Sequence, residues 1–179
     1  MSARQAKEVA AQFNERLQSA VACVTDSVLI PRRDQSGPAY HLLLEPEARL
    51  SSAGGTVEVR IVHSYNVVPD PDTTYRVSTA SYFYDVTELR QYGERDKVLG
   101  YHWNPNSSRD DPAFPHVHVH SNREIGGKSL GKIHLPTGKV SLEAFIRLLI
   151  IELGVASCRT DWESALEQTE ATFLTRRRP

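Results

Sequence analysis

The sequence predicts an α+β domain whose mainly antiparallel meander sheet is covered on one face by an N-terminal helix and two C-terminal helices. Apolar residues recur at helical spacing near both ends of the chain. Between them, from residue 27 to about 103, apolar and polar residues alternate as they do in strands. The connections between these strand-like runs are too short to hold a crossover helix, so consecutive strands should pair antiparallel.

The N-terminal helix is predicted over residues 3–24. Ser2 and Gln5 form a capping-box pattern at its start. The apolar residues that follow at helical spacing are Val9, Phe13, Leu17, Ala20, Val21 and Val24. Because one face of such a helix is apolar, it needs a partner surface, and the sheet provides one.

Five strand-like runs follow, separated by short turns: SVLIPRR, AYHLLLEPEARL, TVEVRIVHSY, TYRVSTASYFYDV and KVLGYHW. In the third run, Val57, Val59 and Ile61 point to one side of the strand. Glu58 and Arg60 point to the other side. This alternation indicates a sheet with one face in the core and one face in water.

Two further helices are predicted near the C-terminus. Ser141 can cap a helix over residues 141–153. Thr160 and Glu163 form a second capping box, for a helix that extends to about Arg176. Both helices carry apolar residues that should pack on the sheet.

Composition and charge exclude several classes of protein. The chain has 21 Lys and Arg against 22 Asp and Glu, a net charge of -1, so attraction of the whole molecule to nucleic acid or to an anionic membrane is excluded as a driving force, although a local basic groove is compatible with this balance. No run approaches the roughly 18 apolar residues that cross a bilayer, and the N-terminus lacks a hydrophobic signal core. Cys23 and Cys158 lie in no CxxC pattern and are predicted to be buried free thiols. We therefore expect a cytoplasmic protein with no membrane partner, folded as a single domain over residues 1–179.

Histidines crowd into one part of the chain. Five of the seven lie between positions 102 and 134: His102, His116, His118, His120 and His134. The three histidines of HVHVH are expected on one face of a strand, about 6.6–7 Å apart, with Val117 and Val119 anchored in the core. The polar, proline-rich segment from Asn104 to Pro115 predicts an exposed loop, through which the chain could return and set His102 beside this row.

One use of this row is metal-independent RNA cleavage by general acid and base catalysis. Neighbouring imidazoles can hold different protonation states near neutral pH, because the ordinary pKa of histidine is about 6.5. Cationic side chains of the following turn, from Arg123, Lys128 or Lys132, could stabilise a phosphate. The candidate catalytic residues are His102, His116, His118 and His120.

The same histidines could instead bind a metal ion. Imidazoles at positions i and i+2 of a strand, here His116 and His118, can both reach one zinc-like divalent ion. His102, Asp110 or Asp111 would complete the coordination. The function would then be that of a metal-dependent hydrolase.

A role in structure or in protein binding is the remaining alternative, with the histidines as solvated residues or as part of a non-enzymatic interaction module. Aromatic residues gather on the preceding strands: Tyr75, Tyr82, Phe83, Tyr84, Tyr101 and Trp103. Aromatic rings on a sheet face can stack unpaired bases, which makes Tyr101 and Trp103 candidate substrate-binding residues together with Arg123 and Lys128. Cross-strand packing inside the sheet is the alternative for the rings.

The stretch YFYDVTELRQYGERDKVLGYHWNPN, followed by a polar loop, FPHVHVH and a C-terminal helix, resembles the small bacterial toxin-antitoxin proteins of the TumE-like type. The resemblance covers roughly residues 75–152 and rests on the order of a tyrosine-rich strand, an aromatic strand end and a Pro-His-x-His element. His102, Trp103 and Asn104 replace the Asp-Asn pair that is usual in that family. The resemblance implies a cytoplasmic protein with an antitoxin partner. It makes a toxin-like protein that cleaves or binds RNA the leading hypothesis.

The HVHVH strand also resembles the motif of the histidine-triad nucleotide hydrolases. The resemblance implies that the central histidine, His118, attacks a phosphorus atom. It is confined to this short motif, since Ser121 and Asn122 stand where that family has an apolar pair.

Overall fold

A computed structural model describes residues 3–34, 39–72, 74–107, 112–121 and 123–174. Within these ranges the chain forms three α-helices: α1 (Ala3–Val21), α2 (Leu142–Ile151) and α3 (Trp162–Leu174). None of the three helices is long and apolar enough to cross a membrane.

The described chain also forms ten strands. They are β1 (Val28–Arg33), β2 (Tyr40–Glu45), β3 (Ala48–Ser52), β4 (Gly55–Asp70), β5 (Thr74–Leu89), β6 (Arg95–Trp103), β7 (His116–Val119), β8 (Glu124–Ile125), β9 (Lys128–Ser129) and β10 (Leu135–Pro136). The main sheet has the order β1-β2-β4-β5-β6-β7-β10, and β3 pairs with the first part of β4. Its neighbouring strands are all antiparallel, so the predicted α+β class with an antiparallel sheet is confirmed.

The core lies between the helices and one face of the sheet. Tyr84 on β5 is fully buried, and its ring contacts that of Phe145 on α2 with 5.2 Å between centroids. Leu17 on α1 and Ile61 on β4 belong to the same core. Burying an apolar side chain of this size stabilises the fold by about 1.5–3 kcal/mol relative to leaving it in water. The predicted packing of the helices on one face of the sheet is therefore confirmed.

The helix boundaries follow the predicted ones closely. α1 ends at Val21, three residues before the predicted end, and its predicted cap, Ser2, lies outside the described residues. The hydroxyl oxygen of Ser141 accepts a hydrogen bond from the backbone N–H of Ala144 at 3.0 Å, as a helix cap does.

The last helix starts slightly later than the sequence indicates. α3 begins at Trp162, and the carbonyl of Asp161 accepts the N–H of Ala165. The predicted capping box at Thr160 and Glu163 is therefore displaced by one residue. The predicted end near Arg176 lies outside the described residues.

The run AYHLLLEPEARL was predicted as one strand, and that prediction is wrong. The structure divides it into β2 and β3, with Pro46 between them. Proline has no N–H to donate to a strand ladder, so the pairing is interrupted there. β2 then pairs with the middle of β4 and β3 with its beginning.

The prediction for the cysteines is correct for Cys23, which is a buried free thiol, and wrong for Cys158, which is exposed. The loop between α2 and α3 carries Cys158 over the chain that follows α1. There its backbone N–H donates to the carbonyl of Cys23 at 2.8 Å.

Candidate metal centre

Three adjacent strands bring the site together. Across β5, β6 and β7, Phe83, His102 and His116 lie opposite one another. One step along, Asp85, Gly100 and His118 do the same. The predicted antiparallel return that sets His102 beside the HVHVH strand is therefore confirmed.

Alternation along each strand decides which side chains meet. Tyr84 on β5 and Tyr101 on β6 point to the helices, so their neighbours in sequence point to the opposite face of the sheet. This opposite face carries Asp85, Gly100, His102, His116 and His118. The sheet itself thus separates the core from the polar site.

Three imidazoles of this face converge. One ring nitrogen from each of His102, His116 and His118 lies within 4.8 Å of the other two. Nε2 of His116 and Nε2 of His118 are 3.1 Å apart. We call these three residues the histidine site.

Two histidines outside the histidine site lie beside it. The ring of His134, which follows the 3-10 turn Leu130–Lys132, is 4.5 Å from the ring of His118. The ring of His120 stacks on that of His118 with 6.0 Å between centroids. His120 was predicted as a fourth catalytic residue, and the structure places it at the border of the site.

Hydrogen bonds to neighbouring acceptors orient the rings of His102 and His116. Nε2 of His102 is 2.7 Å from Oδ1 of Asp85. Nδ1 of His116 is 2.9 Å from the carbonyl oxygen of Phe114, which can only accept. His116 therefore donates through Nδ1, and its Nε2 is the nitrogen that faces the site.

Gly100 makes the bond between Asp85 and His102 sterically feasible. A Cβ atom at position 100 would lie 2.5 Å from Oδ1 of Asp85 and 2.8 Å from Nε2 of His102. Both distances are shorter than van der Waals contact. Glycine is thus required here by the close approach of two side chains.

Three titratable groups in and beside the site, Asp85, His118 and His120, have shifted pKa values. Burial tends to raise the pKa of Asp85, but the hydrogen bond and charge of His102, with Arg60 and Lys97, outweigh it and lower that pKa. Asp85 is therefore an ionised acceptor at neutral pH. Burial, together with the neighbouring histidines, lowers the pKa of His118 to about 4, so its imidazole is neutral under the same conditions. Burial and Lys97 also lower the pKa of His120.

The prediction that Val117 and Val119 anchor the strand in the core is wrong. Neither belongs to the core, and Val119 is 36% exposed. The principal neighbours of β7 are β6, β10 and the 3-10 turn, none of which is a helix. His116 on the opposite face is fully buried, with the rings of Phe114 and His134 against it.

The predicted aromatic substrate-binding residues are not brought to the histidine site. Tyr101 faces the helices, and its ring lies 6.4 Å from that of Phe145. Trp103 is nearly buried on the same face, against Tyr82. Both residues take part in core packing, which was the alternative weighed for them.

The predicted phosphate-binding cations, Arg123 and Lys128, do not line the groove beside the histidines. Lys128 is exposed in the small β8–β9 hairpin, and Arg123 precedes that hairpin. The cations that line the groove beside His120 include Lys97 and Lys132. Of the carboxylates proposed as metal ligands, Asp110 and Asp111 lie outside the described residues.

Sequence reasoning missed Asp85 and Gly100 as parts of the site. Their alternation with core residues was visible in the sequence, for example Asp85 between Tyr84 and Val86. Their position beside the histidines depends on the register of β5 against β6, which includes an irregularity between Val86 and Thr87. No local pattern fixes that register.

No protein-family model matches this chain, and neither the curated proteins nor the solved structures compared with it gave a match. The resemblances to TumE-like proteins and to the histidine-triad motif stay predictions.

Proposed function

We propose that the histidine site binds a zinc-like divalent metal ion and that the protein is a metal-dependent hydrolase. The observation that carries this proposal is the convergence of three ring nitrogens within 4.8 Å of one another. Three protein ligands and one remaining position are the usual composition of a catalytic zinc site. In this proposal His102 is the third ligand, a position for which the sequence offers His102, Asp110 or Asp111.

The spacing of the nitrogens is close to what a tetrahedral ion requires. Zinc–nitrogen bonds of about 2.0–2.1 Å place two ligand atoms about 3.3–3.4 Å apart at tetrahedral angles. Nε2 of His116 and Nε2 of His118 are already 3.1 Å apart. The nitrogen of His102 would have to approach the others by at most about 1.5 Å, a shift within reach of side-chain rotation.

The hydrogen-bond partners behind the rings favour metal binding. A metal-binding histidine usually donates its second N–H to a carboxylate or a backbone carbonyl, which fixes the tautomer and the orientation of the ring. Asp85 and the carbonyl of Phe114 supply these two kinds of acceptor to His102 and His116. Because the pKa of His118 is lowered to about 4, this third imidazole is in the neutral form that metals require.

A divalent ion held in this way supplies Lewis-acid activation of water and of a substrate oxygen. The residues of the chain then have separate tasks. His102, His116 and His118 hold the ion, while Asp85 keeps the ring of His102 oriented. His120 and His134, at the border of the site, are placed to move a proton to or from solvent.

Metal-independent RNA cleavage, the toxin-like function that the sequence predicts, is the second candidate. The observation that favours it is the direct contact between His116 and His118, since two hydrogen-bonded imidazoles can exchange a proton. The low pKa of His118 weighs against it, because a general acid near neutral pH needs a protonated imidazole. The RNA substrate and the antitoxin partner stay predictions.

Metal titration separates the two candidates. Protein freed of metal with a chelator is titrated with Co²⁺, whose visible absorption reports its coordination, and with Zn²⁺ in a calorimeter. We expect one equivalent of metal to bind. His118→Ala should lower the metal affinity more than about 100-fold, because loss of a residue that only hydrogen-bonds to a ligand already lowers it about 10–100-fold. His120→Ala, one residue beyond the end of β7 and outside the histidine site, is the matched control and should bind metal as the wild type does.

Hydrolytic activity is then measured with and without metal. We expect ester hydrolysis only when metal is bound. The metal-loaded wild type should hydrolyse the ester, and metal-loaded His120→Ala should do so at a reduced rate. Wild-type protein that binds no metal, or a His118→Ala variant that binds it equally well, would contradict the proposal. RNA cleavage that persists in excess chelator would establish the second candidate instead.

A further inference from the structure

A polar groove opens beside the histidine site. It encloses about 1230 Å³, part of it open to solvent. Besides Glu88, Arg90, Asp96 and Val98, it is lined by Lys97, His120, Ser121, Ser129, Gly131 and Lys132. We call it the lysine groove.

The lysine groove is continuous with the histidine site through His120. The ring of His120 stacks on that of His118 on one side. On the other side, Gly131 in the 3-10 turn approaches the ring so closely that a methyl group there would lie 3.4 Å from Nδ1. His120 therefore borders both the lysine groove and the histidine site.

Two of the three cationic side chains in the groove, those of Lys97 and Lys132, are not held in ion pairs among the described residues. Arg90 is paired with two carboxylates, Asp96 at 3.0 Å and Glu88 at 3.3 Å. Lys97 and Lys132 form no ion pair with any residue in the described part of the chain. On a chain whose net charge is only -1, this is a local excess of positive charge next to the site.

The lining adds hydrogen-bond donors to these charges, while its two carboxylates, Glu88 and Asp96, pair with Arg90. Ser121 and Ser129 present hydroxyl groups, and lysine ammonium groups provide three donors each. A phosphate group needs this combination, since it carries charge on several oxygens that all accept hydrogen bonds. Lysine binds phosphate as a point charge without a fixed orientation.

We propose that the lysine groove binds the phosphate group of the substrate, so that the hydrolase acts on phosphate esters. This inference rests on the proposed function. For a phosphodiester, the oxygen of water bonds to phosphorus and the bond from phosphorus to the leaving alcohol oxygen breaks. One proton of that water goes to the leaving alcohol and the other stays on the phosphomonoester product. No oxidant or further reactant is needed.

Two substrates with the same leaving group test the proposal. Bis(4-nitrophenyl) phosphate carries the anionic group, whereas 4-nitrophenyl acetate is neutral. In the metal-loaded double variant Lys97→Met and Lys132→Met, we expect kcat/KM for the phosphodiester to fall at least about tenfold and that for the acetate to stay within about twofold. Lys128→Met, which removes an exposed lysine outside the groove, is the matched control and should change neither value.

Phosphate binding is measured separately, so that the two proposals can fail independently. Inorganic phosphate is titrated calorimetrically into metal-free wild-type protein and into both variants, after the metal affinity of each has been determined. We expect the double variant alone to lose phosphate binding while retaining metal.

Equal phosphate binding by the double variant, or an equal loss of activity on both esters, would overturn the lysine groove as a phosphate site. If the wild type binds phosphate in the groove but hydrolyses neither ester when loaded with metal, the proposed hydrolase function fails and the assignment of phosphate esters as substrates fails with it.

Discussion

At the scale of single residues, the histidine site depends on groups that do not themselves bind the ion. Asp85 has a lowered pKa and accepts from Nε2 of His102 at 2.7 Å, so it orients the ring and fixes its tautomer. Asparagine is almost the same size but carries no charge. An Asp85→Asn variant therefore separates the electrostatic contribution of this residue from its packing.

We expect Asp85→Asn to weaken Zn²⁺ binding about 10–100-fold with little change in the folded structure. The measurement is calorimetric titration of the metal-free protein, with circular dichroism to check the fold. Asp161→Asn is the control, because Asp161 is an exposed carboxylate paired with Arg159. Unchanged zinc affinity in Asp85→Asn would show that the carboxylate has no role in metal binding.

Gly100 allows a second prediction at this scale. In Gly100→Ala, the new methyl group would collide with Oδ1 of Asp85 and Nε2 of His102, at 2.5 and 2.8 Å. We expect the hydrogen bond between them to break, the zinc affinity to fall and the free energy of unfolding to drop by about 1–3 kcal/mol. Denaturant unfolding and zinc titration measure the two effects.

Gly54→Ala is the matched control for Gly100→Ala, since a Cβ at position 54 meets nothing within 4 Å. It should leave the zinc affinity unchanged. If Gly100→Ala binds zinc as well as the wild type, the contact between Asp85 and His102 is not needed for the site.

The histidines of the site could be predicted from the sequence, but their supporting residues could not. The i, i+2 spacing of His116 and His118 fixes a common face as soon as the segment is a strand. Asp85 and Gly100 reach that face only through the pairing of three strands, and Asp85 lies 31 positions before His116 in the chain. Strand register across such separations depends on tertiary packing, which a local pattern does not contain.

At the scale of the elements, β7 shows how position in a sheet changes the role of a residue. Val86 on β5 and Val119 on β7 both alternate with polar residues along their strands. Val86 is fully buried in the core, whereas Val119 is 36% exposed. The two valines therefore form a natural comparison. Their different burial follows from the helices, because α1 packs on β1, β4 and β5, whereas the principal neighbours of β7 are strands and the 3-10 turn.

We expect Val86→Ala to lower the free energy of unfolding by about 2 kcal/mol or more, because it leaves a cavity in the core. Val119→Ala should cost less than about 1 kcal/mol, since water can take the place of its methyl groups. Urea unfolding of both variants measures the difference. A larger effect for Val119→Ala would mean that β7 is anchored in a core after all.

Most elements could be predicted because the local preferences of their residues and their pattern of apolar side chains indicate the same structure. α2 has its cap at Ser141, an apolar face and a glycine with a φ of 62° at position 154, just beyond its last turn. The division at Pro46 was visible only as one proline in an otherwise continuous run. Which pieces of that run pair with which part of β4 is a tertiary property, as is the position of β7 near the end of the sheet.

At the scale of the whole molecule, the sheet separates two groups of histidine. On its polar face lies the histidine site, and on its helix face lies His63, which is 5% exposed. Both ring nitrogens of His63 have partners, the hydroxyl of Tyr84 at 2.6 Å and that of Thr79 at 3.2 Å. Burial and the positive charge of Arg16 lower the pKa of His63 to about 3.

These lowered pKa values determine how stability depends on pH. In the unfolded chain each imidazole takes up a proton below a pKa of about 6.5. In the folded protein His63 stays neutral down to about pH 3 and His118 down to about pH 4. The unfolded state therefore binds more protons in this range, and the stability that is complete above pH 6.5 is lost as the pH falls.

We expect the free energy of unfolding of the metal-free protein to fall between pH 6.5 and 5, by up to about 1.4 kcal/mol per pH unit from His63 and by less from His118, which is partly exposed to solvent. Burial raises the pKa of Glu143 above its ordinary 4.5, so the folded protein takes up a proton there as the pH falls, which offsets part of this loss. Urea unfolding in excess chelator measures this slope.

His63→Gln should make the slope shallower. Adding Zn²⁺ should steepen it, because protons compete with the ion for the histidine site. A stability that is constant from pH 7 to 5 would contradict the neutral state of His63 on which the prediction depends.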